Sequence, residues 1–190
     1  PICTTKFLCG HSDAMGGVVA GKKEWVQKIY QYREINGASL QADPAYMIAR
    51  GMKTLELRIE RQNASALKIA NYLKAHSKVA DVFYPGLTTH PGHSIAQQQM
   101  SGFGGIMSFA LDGGYEYVKK LLTHLKLVHL AASLGSVSTL AGPPRTTSHV
   151  ELTEAQRKLL GIPESLIRYS VGIENVDDLL QDLDTALASL

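Results

Sequence analysis

The chain has 190 residues, 45% of them apolar and 19% charged, enough for one ordinary globular core or for a small domain plus part of another. Its 19 basic and 17 acidic residues leave a formal charge of +2, which gives no basic footprint for nucleic acid and no acidic tail. No stretch reaches the roughly 18 apolar residues of a membrane span, so neither nucleic acid nor membrane is an expected partner.

In chain order, the first dozen residues stand apart. Thr4-Thr5-Lys6-Phe7-Leu8-Cys9-Gly10-His11-Ser12-Asp13 sets one lysine behind two hydroxyls and ahead of a glycine turn. A lysine acts as a nucleophile only once its ammonium loses its proton, which burial or neighbouring cations favour. Taken alone, Lys6 reads as a solvated turn residue. Val18-Val19-Ala20 is expected to form a short buried strand. Lys23 to about Arg33 reads as a helix, with Trp25, Val26, Ile29 and Tyr30 at helical spacing and Asn36-Gly37 as its end. Asp43-Pro44 then looks like a helix start, with Asp43 as the cap. From there helical periodicity runs unbroken to about His76. A helix longer than about 25 residues usually links two parts of a molecule.

Val79 to Tyr84 reads as a strand closed by Pro85-Gly86, and Ser94 to Met100 as a short helix. Ile106 to Leu111 is a strand with Met107, Phe109 and Leu111 on one face. Tyr115 to Leu127 is an amphipathic helix with Val118, Leu121, Leu122 and Leu125 inward. Val128 to Ala132 is an apolar strand, and 141–151 a polar loop with two prolines. Thr153 caps a helix to Leu160. Leu166 to Ile173 is the last strand, with Ile167, Tyr169, Val171 and Ile173 on one face and Arg168 and Ser170 on the other. Asn175 caps a final helix that buries Val176, Leu179, Leu180, Leu183 and Leu187. Strands alternating with helices indicate a two-layer α/β domain. The two cysteines, Cys3 and Cys9, have neither CxxC nor metal-ligand spacing; a bridge and two free thiols are both open, and a reducing compartment favours the thiols. His90 and His93 flank a Pro-Gly turn instead of sharing a helix face, so no metal site is expected.

Several motifs together carry a resemblance. Cys3-Thr4-Thr5-Lys6-Phe7-Leu8-x-Gly10-His11-Ser12-Asp13, Tyr84-Pro85-Gly86-Leu87, Gln99 to Gly105, Ser133-Leu134-Gly135 and Leu166 to Glu174 follow one another as in the Cys/Met-metabolism family of pyridoxal-phosphate enzymes. The chain resembles that family over essentially its whole length. The resemblance implies an α/β fold: the C-terminal part of a fold-type I pyridoxal-phosphate transferase. Residues 1–59 would end the cofactor domain and include the linking helix, and residues 60–190 would form the small C-terminal domain. It implies that the chain corresponds to the C-terminal half of such an enzyme. The ring-stacking aromatic, the aspartate partner of the ring nitrogen and the Gly-containing phosphate turn of the family lie in the other half, so this half is expected to be inactive alone.

By the same resemblance Lys6 carries pyridoxal 5'-phosphate and moves protons on the substrate. Thr5 donates to the cofactor phosphate. Cys3 stands where relatives have a hydroxyl, a weaker donor in the same place. Arg168 grips the substrate's α-carboxylate, a task suited to the planar guanidinium fork. Ser133 lies near that carboxylate, and Ser148 falls on a family threonine. Ala132 replaces a glutamate common in relatives that handle cystathionine, favouring methionine or homocysteine. The implied protein is a cytoplasmic carbon–sulfur lyase acting by α,γ-elimination on a small amino acid, assembled as a homotetramer of two catalytic dimers. Two alternatives remain: γ-replacement of the cystathionine γ-synthase type, or a non-catalytic truncated module.

Overall fold

The computed structural model describes Pro1–Leu190, and the chain divides into two units, Pro1–Glu56 and Leu57–Leu190. In the first unit, β1 (Ile2–Cys3) pairs antiparallel with β2 (Gly17–Val18), Cys3 opposite Gly17. Both strands are exposed, so the buried strand expected at 18–20 is instead one side of a short ribbon. The apolar triplet misled because a two-residue pairing has no second layer above it.

Helix α1 (Lys23–Asn36) ends at Gly37, whose left-handed φ of 66° suits a residue without Cβ. Helix α2 (Ala42–Met52) starts one residue before the expected cap. Gln41 takes the cap position, and Asp43 sits in the first turn, where its carboxylate complements the helix dipole.

The single long helix expected from Asp43 to His76 is two helices, α2 and α3 (Leu55–Ala75). At the break the N–H groups of Lys53 and Thr54 donate to the carbonyls three residues back, on Arg50 and Gly51. The Thr54 hydroxyl also donates to Gly51 O at 3.2 Å, the kind of local bond that competes with helix continuation. Gly51 itself packs on the carbonyl of Cys9: a Cβ there would stand 2.1 Å from that oxygen. Hydrophobic periodicity runs straight through this break and therefore hides it.

The second unit is a five-stranded sheet with helices packed on it. It holds β3 (Val79–Phe83), α4 (His93–Gln99), β4 (Ile106–Leu111), α5 (Gly114–His124), β5 (His129–Leu130), β6 (Leu140–Gly142), α6 (Glu154–Leu159), β7 (Leu166–Ser170) and α7 (Val176–Ala188). The strand order is β3-β4-β7-β6-β5, antiparallel except for the β5–β6 pair. Strand β6 lies where a polar loop is expected. Its Leu-Ala-Gly run followed by two prolines reads as a turn, yet all three residues are buried. The expected strand at 128–132 shrinks to the two exposed residues of β5.

One core joins Ile69 and Leu73 of α3, Met107 and Phe109 of β4, Val118 and Leu121 of α5, Ile167 and Tyr169 of β7, and Leu179, Leu183 and Leu187 of α7. Each such side chain contributes about 1.5–3 kcal/mol on burial. The expected inward faces of β4, β7, α5 and α7 are those of the structure except at Ile173, which is exposed because β7 ends at Ser170 and the chain turns there; Val176 and Leu180 are only partly covered. Helix ends are secured locally. Thr153 and Gln156 form a reciprocal capping box on α6, and Asn175 Oδ1 accepts from Asp177 N–H at 2.9 Å on α7. Asp182 accepts from the N–H groups of Lys126 and Leu127 at 2.9 and 3.1 Å, tying the end of α5 to α7.

The close approach at Gly51 generates a prediction. Gly51→Ala places a methyl group against backbone that cannot rotate aside, and overpacking of this kind typically costs about 1–3 kcal/mol. Thermal denaturation should show a lower Tm for the variant; a parental Tm would mean that α2 and the Cys9 turn separate freely.

Candidate functional site

The lysine motif folds as a tight turn following β1. Cys9 N–H donates to Thr4 O at 2.9 Å and Gly10 N–H to Lys6 O at 2.7 Å, and Gly10 takes a φ of 76°. Gly16 closes the loop from the other side: Thr4 N–H donates to its carbonyl at 3.0 Å, and its own N–H donates to Thr5 Oγ1 at 3.0 Å. A side chain at Gly16 would meet Ile48 Cδ1 at 2.8 Å and Thr4 Oγ1 at 2.9 Å, so glycine is required for this closure.

His11 and Asp13 brace the turn, both through Cys9. His11 Nδ1 lies 2.7 Å from Cys9 O, and the Cys9 thiol donates to Asp13 Oδ1 at 3.2 Å. Cys9, for which the sequence suggests no role, is fully buried and forms the floor of the turn with Ala14 and Ile48. The available signal was Gly51, a poor helix former inside a helical pattern, which marks the close approach of a second backbone.

Cys3, Thr5 and Lys6 come together on this turn. Cys3 is exposed, while Thr5 and Lys6 are half-buried. The Cys3 thiol is held below its usual pKa, first by the Thr5 hydroxyl, then by the backbone N–H groups of Thr5 and Lys6 and by the Lys6 charge. The Cys9 thiol is pushed the other way, by burial and by its bond to Asp13.

In the second unit β7 presents Arg168 on the face opposite the core. Its neighbours across the sheet are Ser108 on β4 and Gly142 on β6, both small enough to leave the guanidinium room. Arg168 Nη2 donates to Ser133 O at 2.7 Å and to Ala131 O at 3.3 Å. Its Nε is buried without a partner, and burial lowers the pKa of the group. Arg168 and Ser133 are therefore adjacent. Ser148 is exposed, with its Oγ 2.8 Å from His149 Nδ1. A Cβ on Gly142 would stand 3.1 Å from Ala131 O, so this glycine admits the carbonyl that holds the guanidinium. Sequence reasoning missed both Gly142 and Ala131; the register of a sheet is needed to see them.

His90 and His93 each serve their own turn. Gly92 N–H donates to His90 Nδ1 at 3.1 Å, and His93 Nδ1 donates to Pro85 O at 2.8 Å while its ring stacks on Phe103.

The first unit thus presents one lysine in a tight, hydrogen-bonded turn, and the second unit a half-buried arginine held by backbone carbonyls. The family model of the Cys/Met metabolism PLP-dependent enzymes matches residues 2–188, and the chain belongs to that family. It is 44% identical over 188 residues to an L-methionine gamma-lyase of Fusobacterium nucleatum subsp. polymorphum, covering 98% of this chain and 48% of that protein. Among solved structures, a cystathionine gamma-synthase of Xanthomonas oryzae pv. oryzae in complex with cystathionine matches with a TM-score of 0.92 and 40% identity, covering 98% of this chain and 48% of that one. A cystathionine gamma-lyase of Micromonospora echinospora gives 0.93 and 40%, with 98% and 49% covered. The chain spans about half the length of these relatives and has the fold of the C-terminal part of a pyridoxal-phosphate transferase.

The residues present suit that cofactor's anionic end. The donors that lower the Cys3 pKa would equally face a phosphate, and Lys6 is the amine beside them. The two thiols should therefore differ in reactivity. Iodoacetamide at neutral pH should label Cys3 and spare Cys9 until the protein unfolds, and Thr5→Val should slow labelling of Cys3 by removing its leading stabiliser. Mass mapping of the alkylated peptides reads this directly; equal labelling of both thiols in the folded protein would contradict the assignment.

Proposed function

We propose that the protein of which this chain is part is a cytoplasmic, homotetrameric carbon–sulfur lyase that carries out α,γ-elimination on methionine, homocysteine or cystathionine. The net reaction on methionine consumes water and releases methanethiol, ammonia and 2-oxobutanoate. The observation that carries the reading is the pairing of residue types: one lysine in an anion-attracting turn and one half-buried arginine whose Nη2 is fixed by Ser133 O. Bound pyridoxal phosphate supplies an electron sink for charge developing on the substrate carbons. Lys6 holds the cofactor and, once its amine is released, carries protons between Cα and Cβ of the substrate. A single amine serves both carbons because it stays tethered beside them. Thr5, the backbone N–H groups of Thr5 and Lys6, and Cys3 receive the phosphate. Arg168 takes the α-carboxylate, with Ser133 beside it, and Ser148 lines the approach.

Ala132 supports the lyase reading over the synthase one. An exposed alanine beside Ser133 offers no carboxylate to a distal ammonium, which suits an uncharged thioether or thiol better than the amino-acid tail of cystathionine. A γ-replacement enzyme shares Lys6 and Arg168 and is the second reading. In the assembled enzyme the two separate by product. With methionine as sole substrate a lyase yields 2-oxobutanoate, scored as its hydrazone, whereas a synthase requires an activated homoserine ester and cysteine.

Two variants test the residue roles. Lys6→Ala should abolish turnover and the visible cofactor absorbance retained after desalting; a variant that keeps both refutes the lysine assignment. Arg168→Lys keeps the charge and loses the two-pronged grip. It should lower kcat/KM by about 2–4 kcal/mol while leaving cofactor loading intact, because a desolvated ion pair contributes in that range. Ser133→Ala removes a neutral hydrogen bond and should cost about 0.5–1.5 kcal/mol. The reverse order of effects would assign the carboxylate to another residue.

A further inference from the structure

The segment from Ser133 to Thr139 has no regular structure, yet it is tied down along its length. Gly135 N–H donates to Ser170 Oγ at 2.9 Å, and Ile173 N–H donates to Val137 O at 2.8 Å. Thr139 donates to the Glu174 carboxylate from its N–H at 2.6 Å and its hydroxyl at 2.8 Å, and accepts from Gly172 N–H at 2.9 Å. All these partners lie on β7 or in the turn that follows it.

Two further ties come from elsewhere: His129 N–H of β5 donates to Thr139 O at 3.0 Å, and the other comes from α3. Gln62 on α3 is fully buried and donates Nε2 to Ser136 O at 2.9 Å. A carbonyl can only accept, so the amide's NH2 end must face Ser136 and its orientation is settled. Its other end, Oε1, is buried with no partner. An unpaired buried amide oxygen is unfavourable, and a leucine or methionine of similar volume would avoid it. An apolar side chain would remove that orphan oxygen but also withdraw the donor from the buried Ser136 carbonyl, so the amide is tied to this loop contact and not to core packing. Gly105 packs against the root of Gln62, where a Cβ would stand 3.0 Å from Gln62 Cβ. What Gln62 adds is a fixed Ser136, three residues from the Ser133 carbonyl that holds Arg168 Nη2 at 2.7 Å.

We propose that Gln62 is a positioning residue for the carboxylate clamp: its amide pins the Ser136 carbonyl, and the pinned loop sets the direction of the Arg168 guanidinium. This rests on the reading of Arg168 given above. Gln62 touches neither substrate nor cofactor in this scheme and acts only through the loop. Ser170, buried two residues along from Arg168, fastens the same loop one residue earlier.

The test uses the cofactor-loaded enzyme that contains this chain and two probes, glycine and glycinamide, which differ only in the carboxylate. Binding is followed by the change in cofactor absorbance. Gln62→Met keeps volume and removes the donor. It should weaken glycine roughly three- to tenfold, the range of one hydrogen bond, and leave glycinamide within twofold. Combined with Arg168→Lys it should weaken glycine no further than Arg168→Lys alone, because both changes act on one clamp. If Gln62→Met fails to fold, Ser170→Ala should give the same discrimination between the probes. If Arg168→Lys discriminates the probes while neither Gln62→Met nor Ser170→Ala does, the positioning role is refuted and the clamp reading stands. Equal weakening of both probes by Gln62→Met also refutes it, as a general structural loss. If Arg168→Lys itself treats the probes alike, the clamp reading fails first and takes this inference with it.

Discussion

The second unit is arranged around one hydrogen bond, from Arg168 Nη2 to the carbonyl of Ser133. A guanidinium half-removed from water must find acceptors, and backbone carbonyls are acceptors that add no full negative charge. Two of them, on Ser133 and Ala131, fix one prong of the fork without neutralising it. The sheet supplies the remaining conditions. Small residues on both neighbouring strands leave the guanidinium space, and the inward alternation of Ile167 and Tyr169 anchors the strand that presents it.

The first unit solves a related problem by other means. Lys6 lies in a turn whose shape comes from backbone, with Gly10 at positive φ and Gly16 too close to its neighbours to carry a side chain. The Thr5 hydroxyl first, then the backbone N–H groups of Thr5 and Lys6 and the Lys6 charge, hold the Cys3 thiol below its usual pKa. Thiols six residues apart in the same turn shift in opposite directions, one exposed among donors and the other buried against a carboxylate.

Much of this was legible in the residues, and the exceptions share a cause. The inward faces of β4, β7, α5 and α7 follow from local periodicity, and Gly37 and Asn175 mark helix ends by residue chemistry alone. Position in the sheet is another matter. Strand β6 has a buried central place although its sequence reads as a turn, and β2 is exposed although its sequence reads as buried. Both depend on what lies alongside, which a single sequence does not encode locally. The break between α2 and α3, where Lys53 and Thr54 bond back to Arg50 and Gly51, is likewise hidden from hydrophobic periodicity. For the site, the motifs point to Lys6 and Arg168. The carbonyls, the small strand neighbours and the loop ties that orient them appear only once register and packing are known.

Under the carboxylate role proposed for Arg168, loop precision matters because recognition of a carboxylate is directional. A bidentate contact requires the guanidinium plane and the carboxylate plane to coincide, and a small rotation of one loses one of two hydrogen bonds. In general, misplacement of a bound substrate by about 1 Å can cost a hundredfold in rate. An irregular segment would ordinarily be the most mobile part of such a site. Here each of Gly135, Ser136, Val137 and Thr139 is held by a different partner, so the segment behaves as an extension of the sheet. Ala132 lies exposed beside this frame, outside the ties that hold it, so a change of side chain there leaves those ties in place.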